Sequence, residues 1–216
     1  MAHVSSSSDS DGSQKRAVPV RARSQASREA IIQAAMALWR TKGFADTTVT
    51  DIAKAAGVSK ALFYVYFARR EDVLLEAETL TMDDAHRAAE VVVSGPYELI
   101  DVVTAVVETL ERGARIYPPE LVFETVLEAY RLERRALAGG ATEADLAYLF
   151  LEPFRQAQRD GKLPAGLDVV RAARIAQVFV GDGVRCWAAS GFGEQPLTPI
   201  LAPQVTAIVE ALAEKD

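Results

Sequence analysis

The chain has 216 residues, half of them apolar and a quarter charged, with a formal net charge of −6. That is enough apolar material for a sizeable core and more chain than one small domain needs. A single cysteine, Cys186, excludes an internal disulfide and fits a reducing compartment, and His3 and His86 lie too far apart to form a local metal motif, so no metal site and no cofactor are expected.

No apolar run reaches the roughly 18 to 20 residues that a membrane helix needs, because Asp182 and Arg185 interrupt the best C-terminal stretch. The opening MAHVSSSSDSDGSQKR lacks the apolar segment of a secretory leader. A soluble, cytoplasmic protein with no membrane partner is the expectation. The net charge hides an asymmetry: residues 21–70 carry nine basic side chains against three acidic ones, whereas from Glu71 onward 13 basic residues face 25 acidic ones, a balance of −12. Such a division suits a polyanion docking at the N-terminal end.

Residues 1–24 are rich in Ser, Asp and Gly and then in Arg, with almost nothing to bury, and are expected to form a disordered tail. Arg21 and Arg23 read equally well as a solvated end and as a basic arm lying along a minor groove. From Ser27 the pattern turns helical, with Ile31, Ala35, Leu38 and Trp39 on one stripe, Ser27 as cap and Gly43 as stop. Thr48 followed by Asp51 has the form of a capping box opening a short second helix, with Ile52, Ala53 and Ala56 inward. Gly57 ends that helix where the backbone is expected to need positive φ. Ser59 caps a third helix, whose inner face is Phe63 and Phe67. Two short helices joined by a tight glycine turn, with small Ala53 at their crossing, have the sequence shape of a helix-turn-helix, and residues 25–72 are read as a DNA-binding domain.

Beyond Arg70 the chain keeps helical spacing, with breaks at Gly95-Pro96, Pro118-Pro119, Gly139-Gly140, Gly161 to Gly166 and Gly191 to Pro199. The β-formers Val91 to Val93 and Val102-Val103 sit among helically spaced neighbours, so they too are read as helix. There is no sustained alternation and no internal repeat. The fold class is therefore all-α, with residues 73–216 as a second helical domain.

The run Thr47-Thr-Val-Thr-Asp-Ile-Ala-Lys-Ala-Ala-Gly-Val-Ser-Lys-Ala-Leu-Phe-Tyr-Val-Tyr-Phe67, followed by Arg70-Glu-Asp-Val-Leu, resembles the N-terminal domain of TetR-family regulators over about residues 25–75. The rest is similar to that family only in length and helical layout. The resemblance implies a three-helix DNA-binding domain, a helical ligand-binding and dimerisation domain, and a homodimer on a palindromic operator. It also implies a small-molecule effector that releases the protein from double-stranded DNA, with repression as the usual outcome. The helices implied at the dimer interface are Thr142 to Asp160, with Leu146, Leu149, Phe150 and Phe154 as its apolar face, and Asp168 to Ser190, with Val170, Ala173, Ala176, Val180 and Val184. Burial of these faces within the monomer is the other reading.

A recognition helix meets base edges with its first turn. Here that turn is Ser59, Lys60, Ala61 and Leu62, with Tyr64 and Val65 one turn later. Lys60 can donate to guanine O6 and N7, and Thr50 can reach a base or a phosphate. Thr48, Tyr66 and Arg70 are similar to the family's phosphate contacts. Tyr64 and Tyr66 can equally be packing aromatics. Leu62 and Val65 depart from the polar residues common in relatives; with Ala61 they suit thymine methyl groups, which predicts a half-site containing thymine. In the second domain Tyr97, Tyr117, Phe123, Tyr130, Phe179 and Trp187 are candidates to line a ligand cavity, or else plain core. A helical enzyme is the competing class, but the sequence has no phosphate loop, no H-E-x-x-H and no G-x-S-x-G, so no catalytic residue is assigned. An interaction protein whose helix-turn-helix no longer reads an operator is the third reading.

Overall fold

The computed structural model describes residues 20–213, and every regular element among them is an α-helix. In chain order these are α1 (Val20–Lys42), α2 (Val49–Ala55), α3 (Lys60–Tyr66), α4 (Asp72–Val93), α5 (Leu99–Ala114), α6 (Pro119–Ala138), α7 (Glu143–Leu146), α8 (Leu151–Arg159), α9 (Val169–Ala189) and α10 (Thr198–Ala213). The all-α expectation holds, and each of the five glycine and proline breaks marks a junction between helices, with Pro119 and Pro199 in the first turns of α6 and α10. Pro119 opens α6, where its missing N–H costs nothing. No described helix is long and apolar enough to cross a membrane.

Three expectations need correction. First, α1 begins at Val20, so Ser27 lies inside the helix rather than capping it and residues 20–24 are helical; the rest of the expected tail lies outside the described residues. Second, Thr142 to Asp160 is not one helix. Proline fits a helix's first turn readily, whereas further in it removes a hydrogen bond and crowds the preceding carbonyl, a cost that α10 bears at Pro203. Here α7 and α8 are separate, and Pro153 stands in the first turn of α8, which restarts at Leu151. Third, the faces assigned to a dimer interface are spent inside the chain. Leu149, Phe150, Phe154, Ala173, Ala176, Val180 and Val184 are buried in the large core, Val170 is packed against it, and Leu146 lines an internal cavity.

Two cores organise the chain. The small one gathers Ile31, Ala35, Met36 and Trp39 of α1, Ile52 of α2, Phe63 of α3, and Phe67. It also takes Val73 and Leu74 from α4 and Leu121 from α6, so these two helices enter it as well. The large core joins α5, α9 and α10 with the far half of α4 through Ala85 and Ala89. Buried Glu111 of α5 accepts hydrogen bonds from the backbone N–H and Oγ1 of Thr198, 2.9 and 2.8 Å, fastening the start of α10. Since α4 contributes to both cores, a shift of one is felt by the other.

Candidate nucleic-acid interface and cavity

The local signals around α2 and α3 fold as their chemistry dictates. Thr48 and Asp51 make the reciprocal capping box, Oγ1 accepting from Asp51 N at 3.1 Å and Asp51 Oδ2 accepting from Thr48 N at 2.9 Å. Hydrogen bonds from Lys42 and Thr48 hold the Asp51 carboxyl well below the usual carboxylate range. Gly57 takes φ +68°, a conformation that costs any Cβ-bearing residue energy. Ser59 Oγ then accepts from Leu62 N at 3.0 Å and starts α3.

With Phe63 and Phe67 locked into the small core, the opposite side of α3 is turned out. Tyr64 is 49% exposed and Val65 74%, and Lys60 and Ala61 beside them are exposed too, while Leu62 is half-buried. Among the described residues neither Lys54 nor Lys60 is ion-paired. Thr48 and Thr50, at the start of α2, are also exposed. A short helix showing an aromatic ring, a β-branched apolar side chain and an unpaired cation to solvent is poorly explained as a water-facing surface and well explained as one shaped for a groove.

Two expected phosphate contacts have partners within the chain. Arg70 is turned inward: its Nη1 donates to the carbonyls of Phe44 (2.8 Å) and Thr47 (2.6 Å), it pairs with Glu71, and its guanidinium stacks 4.1 Å from the Phe44 ring centre. In this structure the Arg70 cation braces the α1–α2 loop. Tyr66 is half-buried against the small core, and its hydroxyl donates to Ser24 Oγ at 3.1 Å, tying α3 back to α1.

Arg69, which the sequence did not single out, links the two cores. It donates to Asp72 (2.5 Å) and to Glu128 of α6 (2.6 Å), and Glu128 is 1% exposed and also bonded by Arg131 and Arg135. Burial alone would raise the Glu128 carboxyl, but the three arginines outweigh it and hold the group below its ordinary 4.5.

Between α4, α5, α6 and α9 lies a cavity of about 600 Å³, a size suited to a small organic molecule. Of the six aromatic candidates, Tyr117 and Tyr130 line it. The other four do not. Tyr97 is a satisfied core tyrosine whose hydroxyl donates to Asp160 at 2.8 Å. Trp187 is buried between Phe192 and Arg115, Phe123 packs on the large core, and Phe179 is exposed on α9. The polar lining that the sequence reading missed includes Glu78, Tyr148, Arg174 and Gln177. These residues come from three different segments, so no local spacing announced them. Met36 of α1 and Leu121 also reach the cavity wall, so it touches the small core directly.

A capped helix-turn-helix with an outward apolar and cationic face thus stands beside a helical body that holds a cavity. Residues 31–77 match the sequence profile described as bacterial regulatory proteins, tetR family, so the similarity to that family rests on the N-terminal unit. It is similar to the transcriptional regulator EthR of Mycobacterium tuberculosis, 29% identical over 182 residues that cover 79% of this chain and 78% of that one. To the uncharacterised HTH-type regulator YerO of Bacillus subtilis it is 44% identical over 50 residues, but these cover 23% of this chain and only 17% of that protein. Among solved structures it resembles Thermus thermophilus FadR, a TetR-family transcriptional repressor in complex with lauroyl-CoA. There the identity is 25% and the TM-score 0.67, covering 85% of this chain and 93% of that one.

Proposed function

We propose that this chain is a repressor that binds a palindromic double-stranded DNA operator as a homodimer and is released by a small-molecule effector held in the cavity. The observation that carries the reading is the outward face of α3. Lys60, Tyr64 and Val65 stand exposed on a helix fixed by the Ser59 cap, the Gly57 turn and the buried Phe63. Lys60, Ala61, Leu62, Tyr64 and Val65 meet base edges, with Ser59 and Thr50 beside them, and Thr48 and Tyr66 lie along the phosphates. On this reading residues 25–72 are the DNA-binding domain and 73–216 the effector and dimerisation domain. The regulator works in the cytoplasm and does no catalysis.

A single short recognition helix binds weakly, and two half-sites about 34 to 36 Å apart are the general remedy. With the inner faces of α8 and α9 buried, the second copy packs on the outer faces of α9 and α10, where Val178 (39% exposed), Phe179 (37%) and Ile200 (45%) are large apolar side chains left uncovered. Effector binding is transmitted through α4, which supplies Glu78 and Leu75 to the cavity and Val73 and Leu74 to the small core. That Thermus thermophilus FadR is a repressor in complex with lauroyl-CoA supports the reading that a small molecule is the effector.

The test is retention of DNA flanking the chain's own gene at two salt concentrations, together with sedimentation at micromolar protein. Specific, salt-sensitive retention by a dimer is expected. Retention equal to that on unrelated DNA, or a monomer throughout, would refute the proposal.

A further inference from the structure

The cavity's charge is one-sided. Its lining carries the acids Glu78, Asp83, Glu133 and Asp145 against one base, Arg174, and that base is already paired with Glu133. Asp83 accepts from the Tyr148 hydroxyl at 2.8 Å, and Asp145 is committed to capping α7 through Thr142. Gln177 is likewise used, accepting from Leu149 N and donating to Leu146 O. Glu78 is the exception: it makes no hydrogen bond and no ion pair among the described residues. A carboxyl set part-buried in a mostly apolar cavity without a partner is a cost to the fold, and a complementary charge from outside the chain would offset it.

From this arrangement we infer that the effector is an amphiphilic cation, an apolar molecule whose positively charged nitrogen is drawn to Glu78. The inference deepens the effector reading above and rests on it. Charge complementarity favours it over an acyl-coenzyme A, whose phosphates would enter a cavity with a surplus of carboxylates and no uncommitted base. Burial pushes the Glu78 carboxyl up to about 7, so near that pH the empty site holds the group only partly ionised, and an arriving cation favours its charged form. Asp83 shares its helix; Tyr117, Tyr130 and Glu133 face the cavity from α6 and the segment before it, Asp145 and Tyr148 from α7 and the turn after it, and Arg174 from α9. Glu78 lies one turn beyond Leu74, so a ligand anchored on it bears on the helix that enters the small core.

The test compares three probes with the same tail, decyltrimethylammonium, decanol and decanoate, each below its micelle-forming concentration, by calorimetric titration of the full chain. At about pH 8, where Glu78 is ionised, the cation is expected to bind about tenfold tighter than either other probe, and to weaken as the pH is lowered to about 6. Glu78→Gln removes the preference and its pH dependence while decanol binding stays within about twofold. Glu78→Met, which deletes the unpartnered carboxyl, folds with a melting temperature at or above that of the parent. Equal or tighter binding of decanol or decanoate, a cation preference surviving in Glu78→Gln, or failure of all three probes to bind overturns the inference. Operator retention is followed in parallel. A cation that binds through Glu78 without releasing DNA supports the ligand class and breaks the effector reading; release by decanol or decanoate alone does the reverse.

Discussion

The two cores of this protein are built to different ends. The small one is filled by interlocking aromatics, with Trp39 edge-on to Phe44 at 5.3 Å and Phe63 against Phe67 at 5.7 Å. The large one is rich in alanine and valine and leaves a space of about 600 Å³ beside it. A close-packed unit holds its outward face in one geometry, whereas a hollow one keeps room to rearrange around a guest. The contrast assigns presentation to the first and response to the second.

Trimming one side chain in each core is the severest challenge to that contrast. Phe63→Ala should cost about 3–5 kcal/mol because it opens a void in a region that cannot collapse, and DNA retention should go with it. Val126→Ala, on the cavity wall, should cost less than about 1 kcal/mol, since the atoms removed already border empty space. Equal losses in chemical denaturation would erase the distinction.

A smaller effect is expected at the junction. Glu128→Gln leaves Asp72 as the one charged partner of Arg69 and should cost about 1–3 kcal/mol, the range for weakening buried charged hydrogen bonds. The same group sets an acid limit. Its folded value lies below 4.5, so its stabilisation is complete above that pH and is lost as the pH falls through the folded value. The parent should therefore lose stability below about pH 4.5 more steeply than Glu128→Gln; parallel curves would remove the junction from the account.

The finest distinction separates two cations ten residues apart. Lys60→Ala should weaken specific operator binding by about 1–2 kcal/mol and reduce the salt slope by about one. Arg70→Ala should leave the slope unchanged and lower the melting temperature, because the carbonyls of Phe44 and Thr47 lose their donor. A reversed pattern would return Arg70 to the DNA.

What was legible in the sequence was whatever depends on neighbours three or four residues away. The Thr48–Asp51 box, the Ser59 cap, the Gly57 turn and the Phe63–Phe67 face all belong to that class. Pro153 was legible too, and the preference of proline for a helix's first turn agrees with the restart of α8. The task of Arg70 was not, because its acceptors lie 26 and 23 residues earlier in the chain. Periodicity marked the apolar faces of α8 and α9 but carries no information on what covers them, which is why an intramolecular core passed for an interface. Glu78 looked like one more acid on an acidic helix; only the walls around it make it distinctive.

The sharing of α4 and α6 between the cores bears on how such regulators can be recombined. A chimera cut after Phe67 would strip the DNA-reading unit of Val73, Leu74 and Leu121, three of the ten side chains that fill its interior. Any graft of this unit onto a foreign sensor must carry the first turns of both helices, or evolve a new lid for the seam left open.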